Sequence, residues 1–300
     1  MLGLLLISLL AQDPQGRAVF SSRAELVVLH VSVLDRRAGF VPGLPRDAFT
    51  VYEDGRAQPI RFFENEDTPV TVGLVIDNSG SMLPRREAVA AAGMAFAESS
   101  NPSDELFTIN FNERVWPGLP RDRAFTSDRE ELRGALARAG ARGETALFDA
   151  IGEGLRHLDA GHCTRKVLIV LSDGGDNASS TSFDAVLDAA LRKDVVIYTI
   201  GIYDRDDRDA KPQLLRRLAA ATGGEAFFPD ANEAVQPALE RIARDIRSSY
   251  SIGYVPPKGP GDGTPHRVRV DVRPSDGRKL DARARSTYIN GDRDSRHEHR

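Results

Sequence analysis

The amino-acid sequence predicts an α/β fold: a doubly wound, mostly parallel sheet, inserted in a smaller β-sandwich built from strands at both ends of the chain. Three observations predict it. Between residues 68 and 247, apolar strand-like runs alternate with helical patterns. Two of those runs, TVGLVI (71–76) and KVLIVLS (166–172), are apolar throughout, as strands covered on both faces are. Before and after this stretch the texture is purely β, and neither flank has strands enough for a sandwich alone.

The elements follow in order. Met1 to Ala11, MLGLLLISLLA, is too short to span a bilayer and has the apolar core of a secretory signal. The expectation is a signal segment over 1–16 and export to the periplasm or outside the cell. The signal is atypical: no Lys or Arg precedes the run, and Leu9 stands where a small residue favours cleavage. No other stretch is a transmembrane candidate, so the mature chain is expected to carry none. A β segment over 20–66 contains the run AELVVLHVSVLD (24–35) and two short strands around an Asp54-Gly55 turn, a strong hairpin signal.

From 68 to 247 the order is strand 71–76, an Ala-rich helix from Pro84 to Glu98, strand 105–111, a helix from Asp128 to Arg138 capped by Ser127, and a helix from Leu147 to Leu158. Strand 166–172, helix Phe183 to Arg192, strand 195–202 and helix Leu214 to Thr222, stopped by Gly223, come next. The short strand EAFF and a long helix from Asn232 to Arg247 complete the unit. A second β segment, 248–289, carries runs at 249–255, 266–274 and 279–289, and is expected to pack with 20–66. The tail 290–300 is expected to be disordered.

Composition excludes some functions. A net charge of −4 leaves no global basic field for nucleic acid. Arg is dense after Arg267, but interleaved Asp makes that stretch read as solvated surface and frayed tail. One cysteine, Cys163, permits no intrachain disulfide. The six histidines do not cluster in sequence. There is no G-x-x-x-x-G-K-[ST] phosphate loop, no G-x-G-x-x-G after the first buried strand and no G-x-S-x-G elbow. An aspartate-type phosphatase would want a second carboxylate two residues after Asp77, where Ser79 stands.

In a doubly wound sheet, ligands bind beyond the carboxyl ends of the strands. The first buried strand ends in Asp77-Asn78-Ser79-Gly80-Ser81-Met82 and the second in Ser172-Asp173-Gly174-Gly175-Asp176-Asn177. Between them Gly143-Glu144-Thr145-Ala146-Leu147 opens a helix. Every ligand-capable group in these loops is an oxygen, which selects Mg²⁺, with Mn²⁺ or Ca²⁺ as the alternatives, over Zn²⁺ or Cu²⁺. Ser79 and Ser81 are two apart on one loop, so both hydroxyls can face one point. Neutral hydroxyl ligands leave a cation under-neutralised, and such a cation seeks a carboxylate from outside.

The spacing Asp77-x-Ser79-x-Ser81, with Thr145 and Asp173, resembles the metal-ion-dependent adhesion site of von Willebrand factor type A domains, whose sheet is Rossmann-like. The resemblance covers about 68–247 and holds all five positions in order. It implies that Ser79, Ser81 and Thr145 are ligands, that Asp77 and Asp173 act directly or through water, and that the last helix shifts on binding. The flanking β segments resemble a bacterial, acidobacterial-type subset of that family. The function this implies is cation-dependent binding of a protein that presents Asp or Glu to the metal, and no enzyme. Two alternatives stay open: a metal-assisted hydrolase, which needs a general base such as Asp173 or Asp176, and an assembly scaffold of the cell envelope. Asp149 reads as a satisfied polar residue of its helix, and Asp204–Asp209 as a solvated acidic loop.

Overall fold

The structure, a computed structural model, describes residues 26–37, 39–65, 67–137, 143–203, 210–230, 234–257 and 263–289. The signal segment, the tail, Asn232 and the run Asp204–Asp209 fall outside these residues. No described helix is long and apolar enough to cross a membrane.

The N-terminal flank holds β1 (Val27–Asp35), β2 (Gly39–Phe40), β3 (Phe49–Glu53), β4 (Arg56–Gln58) and β5 (Ile60–Glu64). The α/β stretch runs β6 (Val70–Asp77), α1 (Arg86–Ser99), β7 (Glu105–Phe111), β8 (Val115–Pro117), α2 (Arg129–Ala137), α3 (Leu147–His157), β9 (Arg165–Ser172), α4 (Phe183–Arg192), β10 (Val195–Gly201), α5 (Pro212–Thr222), β11 (Ala226–Phe227) and α6 (Val235–Ser248). The C-terminal flank holds β12 (Tyr250–Tyr254), β13 (Pro265–Val272), β14 (Asp281–Arg283) and β15 (Thr287–Ile289).

The central sheet has the order β11-β10-β9-β6-β7-β8, parallel except for β8 at one edge. Each face of β6 and β9 is buried. Val72, Leu74 and Ile76 pack with Val89 and Phe96 of α1 and Leu239 and Ile242 of α6. Val75, Leu168 and Val170 pack with Ile151 of α3, Val186 of α4 and Leu215 of α5. These two apolar layers explain the unbroken hydrophobic runs at 71–76 and 166–172. Gly73 is required in β6: a β-carbon there would lie 2.3 Å from Phe107 Cζ and 2.6 Å from Leu168 Cδ2.

From β6 the chain winds to β7 on one side, and from β9 to β10 and β11 on the other. The direction of winding reverses between β6 and β9, so the crevice at their carboxyl ends is the switch point where this class of sheet binds ligands.

The flanks interleave. β12 pairs with β1 (Leu29↔Ile252) and β13 pairs with β3 (Val270↔Val51), so strands from both ends of the chain share two sheets. One has the order β14-β1-β12-β5, with β2 also on β1; the other is β15-β13-β3-β4. Leu29, Val31, Phe49, Val51, Tyr250, Ile252, Val268 and Val270 form their common core. Burying about eight such side chains at 1.5–3 kcal/mol each is what holds the two ends together.

Three details differ from the sequence reading. The run 279–289 is two strands: β14 joins β1 and β15 joins β13, so the chain crosses from one sheet to the other at Ala284–Ser286. The cap of α2 is Asp128, whose Oδ1 accepts from the amides of Glu130 (2.7 Å) and Glu131 (3.2 Å), rather than Ser127. The Arg residues of the C-terminal flank are not all solvated: Arg285 is 9% exposed and Arg283 pairs with buried Asp245.

Candidate metal centre

Asp77 is the last residue of β6 and is 3% exposed. Its Oδ1 accepts from the Ser79 amide at 2.8 Å and its Oδ2 from the Ser172 hydroxyl at 2.6 Å. The first bond curls the chain sharply after the strand, so that Ser79 and Ser81 stand at the start of a 3₁₀ turn, Gly80–Arg85, that leads into α1. Their hydroxyl oxygens are 3.1 Å apart. Ser81 Oγ donates to Asp173 Oδ2 at 2.5 Å, and Asp173 Oδ1 accepts from the Gly175 amide at 2.9 Å. Four of the five candidate residues are thus linked in one chain of contacts.

Thr145 joins through its backbone. Its amide donates to Asn177 Oδ1 at 2.8 Å, and its carbonyl accepts from Asn177 and Ala178 at 3.0 and 3.1 Å, which ties its loop to the one after β9. The amide of Gly80 donates to the Gly143 carbonyl at 3.3 Å, which ties it to the one after β6. Gly143 adopts a positive φ of +87° and lies against Glu113: a β-carbon there would meet Glu113 Oε2 at 1.7 Å. The left-handed backbone is what favours glycine here, since the end of the Glu113 side chain could swing away. All three loops therefore meet above the β6–β9 crevice, and Thr145 is buried among them at 7% exposure.

The carboxylates carry a cost. Burial, with Asp173 nearby as a second cause, raises Asp77 to a pKa of about 6, against the lowering hydrogen bonds from Ser172 and Ser79. Two carboxylates share a buried place, and among the described residues neither forms an ion pair with Lys or Arg. The donor set fits a hard dication: oxygens only, two of them neutral hydroxyls. Adjacent ligands of an octahedral Mg²⁺ at about 2.1 Å lie about 3 Å apart, which matches the Ser79–Ser81 spacing.

The other acidic residues near the loops are used locally. Asp149 accepts from the amides of Ser180 and Thr181, both at 2.9 Å, and pins the loop before α4. Asp176 accepts from the Phe148 amide at 3.2 Å and the Ser179 hydroxyl at 2.6 Å. Sequence reasoning gave no role to Ser172, Asn177, Arg85 or Glu113. Arg85 Nη1 donates to the Ser81 carbonyl at 3.0 Å and steadies the turn. Ser172 and Asn177 stand in the quoted loop, but only their partners reveal what they do.

The model of the von Willebrand factor type A domain family matches residues 72–242. The chain belongs to that family. Among solved structures it is similar to a von Willebrand factor type A protein from Catenulispora acidiphila, with 16% identity and a TM-score of 0.52 over 92% of this chain and 76% of that one. It is also similar to proximal thread matrix protein 1 from the mussel byssus with a zinc-occupied MIDAS motif, with 16% identity and a TM-score of 0.53 over 65% of this chain and 49% of that one. At such identities the likeness is one of fold. No curated protein matches the chain. The family match spans β6 to α6, the stretch whose loops hold all five candidate ligands.

Proposed function

We propose that this chain is a divalent-cation-dependent protein-binding module of the adhesion type. The observation that carries the proposal is the pair of serine hydroxyls, 3.1 Å apart, beside a buried Asp173 at the switch point of the sheet. Ser79, Ser81 and Thr145 would hold the cation, and Asp77 and Asp173 would bind it directly or through water. When bound, the cation supplies a Lewis-acidic position that two carboxylates and three hydroxyls do not saturate. An Asp or Glu of a partner protein completes it. Mg²⁺ suits the all-oxygen set best; Mn²⁺ or Ca²⁺ would serve, and the zinc of the mussel protein shows that a related fold accepts a softer ion. The export reading fits a partner in the cell envelope or beyond it.

The hydrolase alternative needs a general base beside the cation. Asp77 and Asp173 are the residues assigned to the cation, and Asp176 Oδ1 accepts from the Phe148 amide at the start of α3 and from the Ser179 hydroxyl. That assignment favours the binding reading.

The test is a pull-down from envelope extract with the full chain, in Mg²⁺ and in chelator, beside a folded Ser79→Ala/Ser81→Ala variant. A protein retained by the wild type in Mg²⁺ alone is the expected result. The same proteins in every condition would overturn the proposal and turn attention to the scaffold reading.

A further inference from the structure

A second set of metal-ligating side chains lies in the sandwich. The β3–β4 hairpin turns at Asp54 and Gly55, Glu53 ends β3, and His266 is the second residue of β13, which pairs with β3. One oxygen each of Glu53 and Asp54 and one ring nitrogen of His266 lie within 4.8 Å of one another. Glu53 and His266 are buried, and Asp54 is exposed at the turn.

The partners of these groups are already arranged. His266 Nδ1 is 2.9 Å from Asp54 Oδ2, and its Nε2 is 3.2 Å from Thr264 Oγ1. Asp54 Oδ1 accepts from the Arg267 amide at 3.0 Å. Tyr288 donates its hydroxyl to Glu53 Oε2 at 2.9 Å. The contacts from Thr264, the Arg267 amide and Tyr288 stand one step behind this cluster, where such bonds orient imidazoles and carboxylates toward a metal.

Two independent features ask for a cation there. Glu53 is 4% exposed, yet among the described residues no Lys or Arg forms an ion pair with it. Removing a carboxylate from water without a positive partner is costly. The hydroxyl of Tyr254 is fully buried beside the Glu53 carboxylate and the Tyr288 hydroxyl, yet makes no hydrogen bond of regular geometry with either among the described residues. A hydrated cation at Glu53 supplies a water oxygen for it.

We propose that Glu53, Asp54 and His266 form a second metal site, for a transition-metal dication of the zinc class. An imidazole nitrogen among carboxylates selects such an ion over Mg²⁺ or Ca²⁺, the reverse of the all-oxygen centre above β6. His266 takes the tautomer with its proton on Nε2, donated to Thr264, and offers the Nδ1 lone pair to the metal. Ligands of a tetrahedral zinc at about 2.1 Å lie about 3.4 Å apart. The Asp54–His266 pair therefore opens by about 0.5 Å while the widest pair closes by up to about 1.4 Å. The site joins a hairpin of the N-terminal flank to a strand of the C-terminal flank, so the metal acts as a clasp on the sandwich.

The experiment is a zinc titration of the full chain carrying Ser79→Ala/Ser81→Ala, with the added change Asp54→Asn in one arm and His266→Gln in another. Asp54 has a φ of +47°, which asparagine also tolerates, so the turn survives Asp54→Asn. His297 and His299 are present in every arm, and any binding by them cancels. The expected result is at least tenfold weaker binding at one site, and loss of the zinc-induced rise in melting temperature, in both arms. Unchanged affinity and unchanged melting in both arms would overturn the site.

Discussion

At the carboxyl ends of β6 and β9, Asp77 and Asp173 meet serine hydroxyls and backbone amides. At the amino ends of the same sheet, carboxylates meet arginines. Asp104, at the start of β7, pairs with Arg247 at 2.8 Å and accepts from the Val70 amide at 2.9 Å. Asp194, before β10, pairs with Arg285 at 2.9 Å. Asp245 of α6 accepts from Tyr198 at 2.9 Å and pairs with Arg283, which also reaches Glu225. Arg165, the first residue of β9, donates to the Ile246 carbonyl at 2.5 Å. Arg283 and Arg285 belong to the C-terminal flank, and Arg285 also donates to the Val28 carbonyl of β1 at 2.8 Å. The amino end is therefore a joint in which Asp104, Asp194 and Asp245 each pair with an arginine and the α/β unit is fastened to the sandwich. The carboxyl end gathers two buried carboxylates with no Lys or Arg paired to them among the described residues. One sheet thus separates a fastening from the proposed cation site, and α6 runs from one face of the sheet directly into β12.

The largest effect is expected at the joint. Arg283→Ala leaves Asp245, 2% exposed, without its guanidinium. Loss of one partner of a buried pair costs about 3–5 kcal/mol. The urea midpoint should fall accordingly while Mg²⁺ affinity stays within a factor of about 2. A midpoint unchanged within error would mean that the joint carries no stability.

A smaller effect lies in pH. Asp77 titrates near 6 in the metal-free fold, against 3.8 unfolded, through burial and the neighbouring Asp173. A raised carboxylate pKa stabilises the fold when protonated: the contribution is complete below about 3.8 and is lost as pH rises past about 6. The shift corresponds to about 3 kcal/mol. Asp194, raised to about 6 by burial against the lowering charge of Arg285, adds a slope of the same sign with or without metal, smaller because its carboxyl is 35% exposed and screened by solvent. The difference between chelator and saturating Mg²⁺ therefore isolates the upper centre. Stability in chelator should fall from pH 4 to pH 7 more steeply than in Mg²⁺; parallel curves would contradict the placement of the cation beside Asp77.

The two ends also differ in how far the sequence discloses them. The upper centre is legible because its residues lie in short loops directly after apolar runs, where strand ends and spacing can be read locally. The joint is not: Tyr198, Asp245 and Arg283 are far apart in sequence, and the Arg-rich C-terminal flank reads as solvated surface until its partners are seen. The same limit hid the division of 279–289 into β14 and β15, because alternation gives a strand's faces and not its neighbour. The short strands β2 and β8 escaped for want of length. Glu53, Asp54 and His266 escaped because pairing of β3 with β13 brings together residues more than two hundred positions apart.

The most direct measurement is a calorimetric Mg²⁺ titration of the full chain beside Ser79→Ala/Ser81→Ala, with urea unfolding of both in chelator. The expected result is one Mg²⁺ site in the wild type, affinity lower by about 100-fold or more in the variant, and metal-free stabilities within about 1 kcal/mol of each other. Equal Mg²⁺ binding by both chains would contradict it.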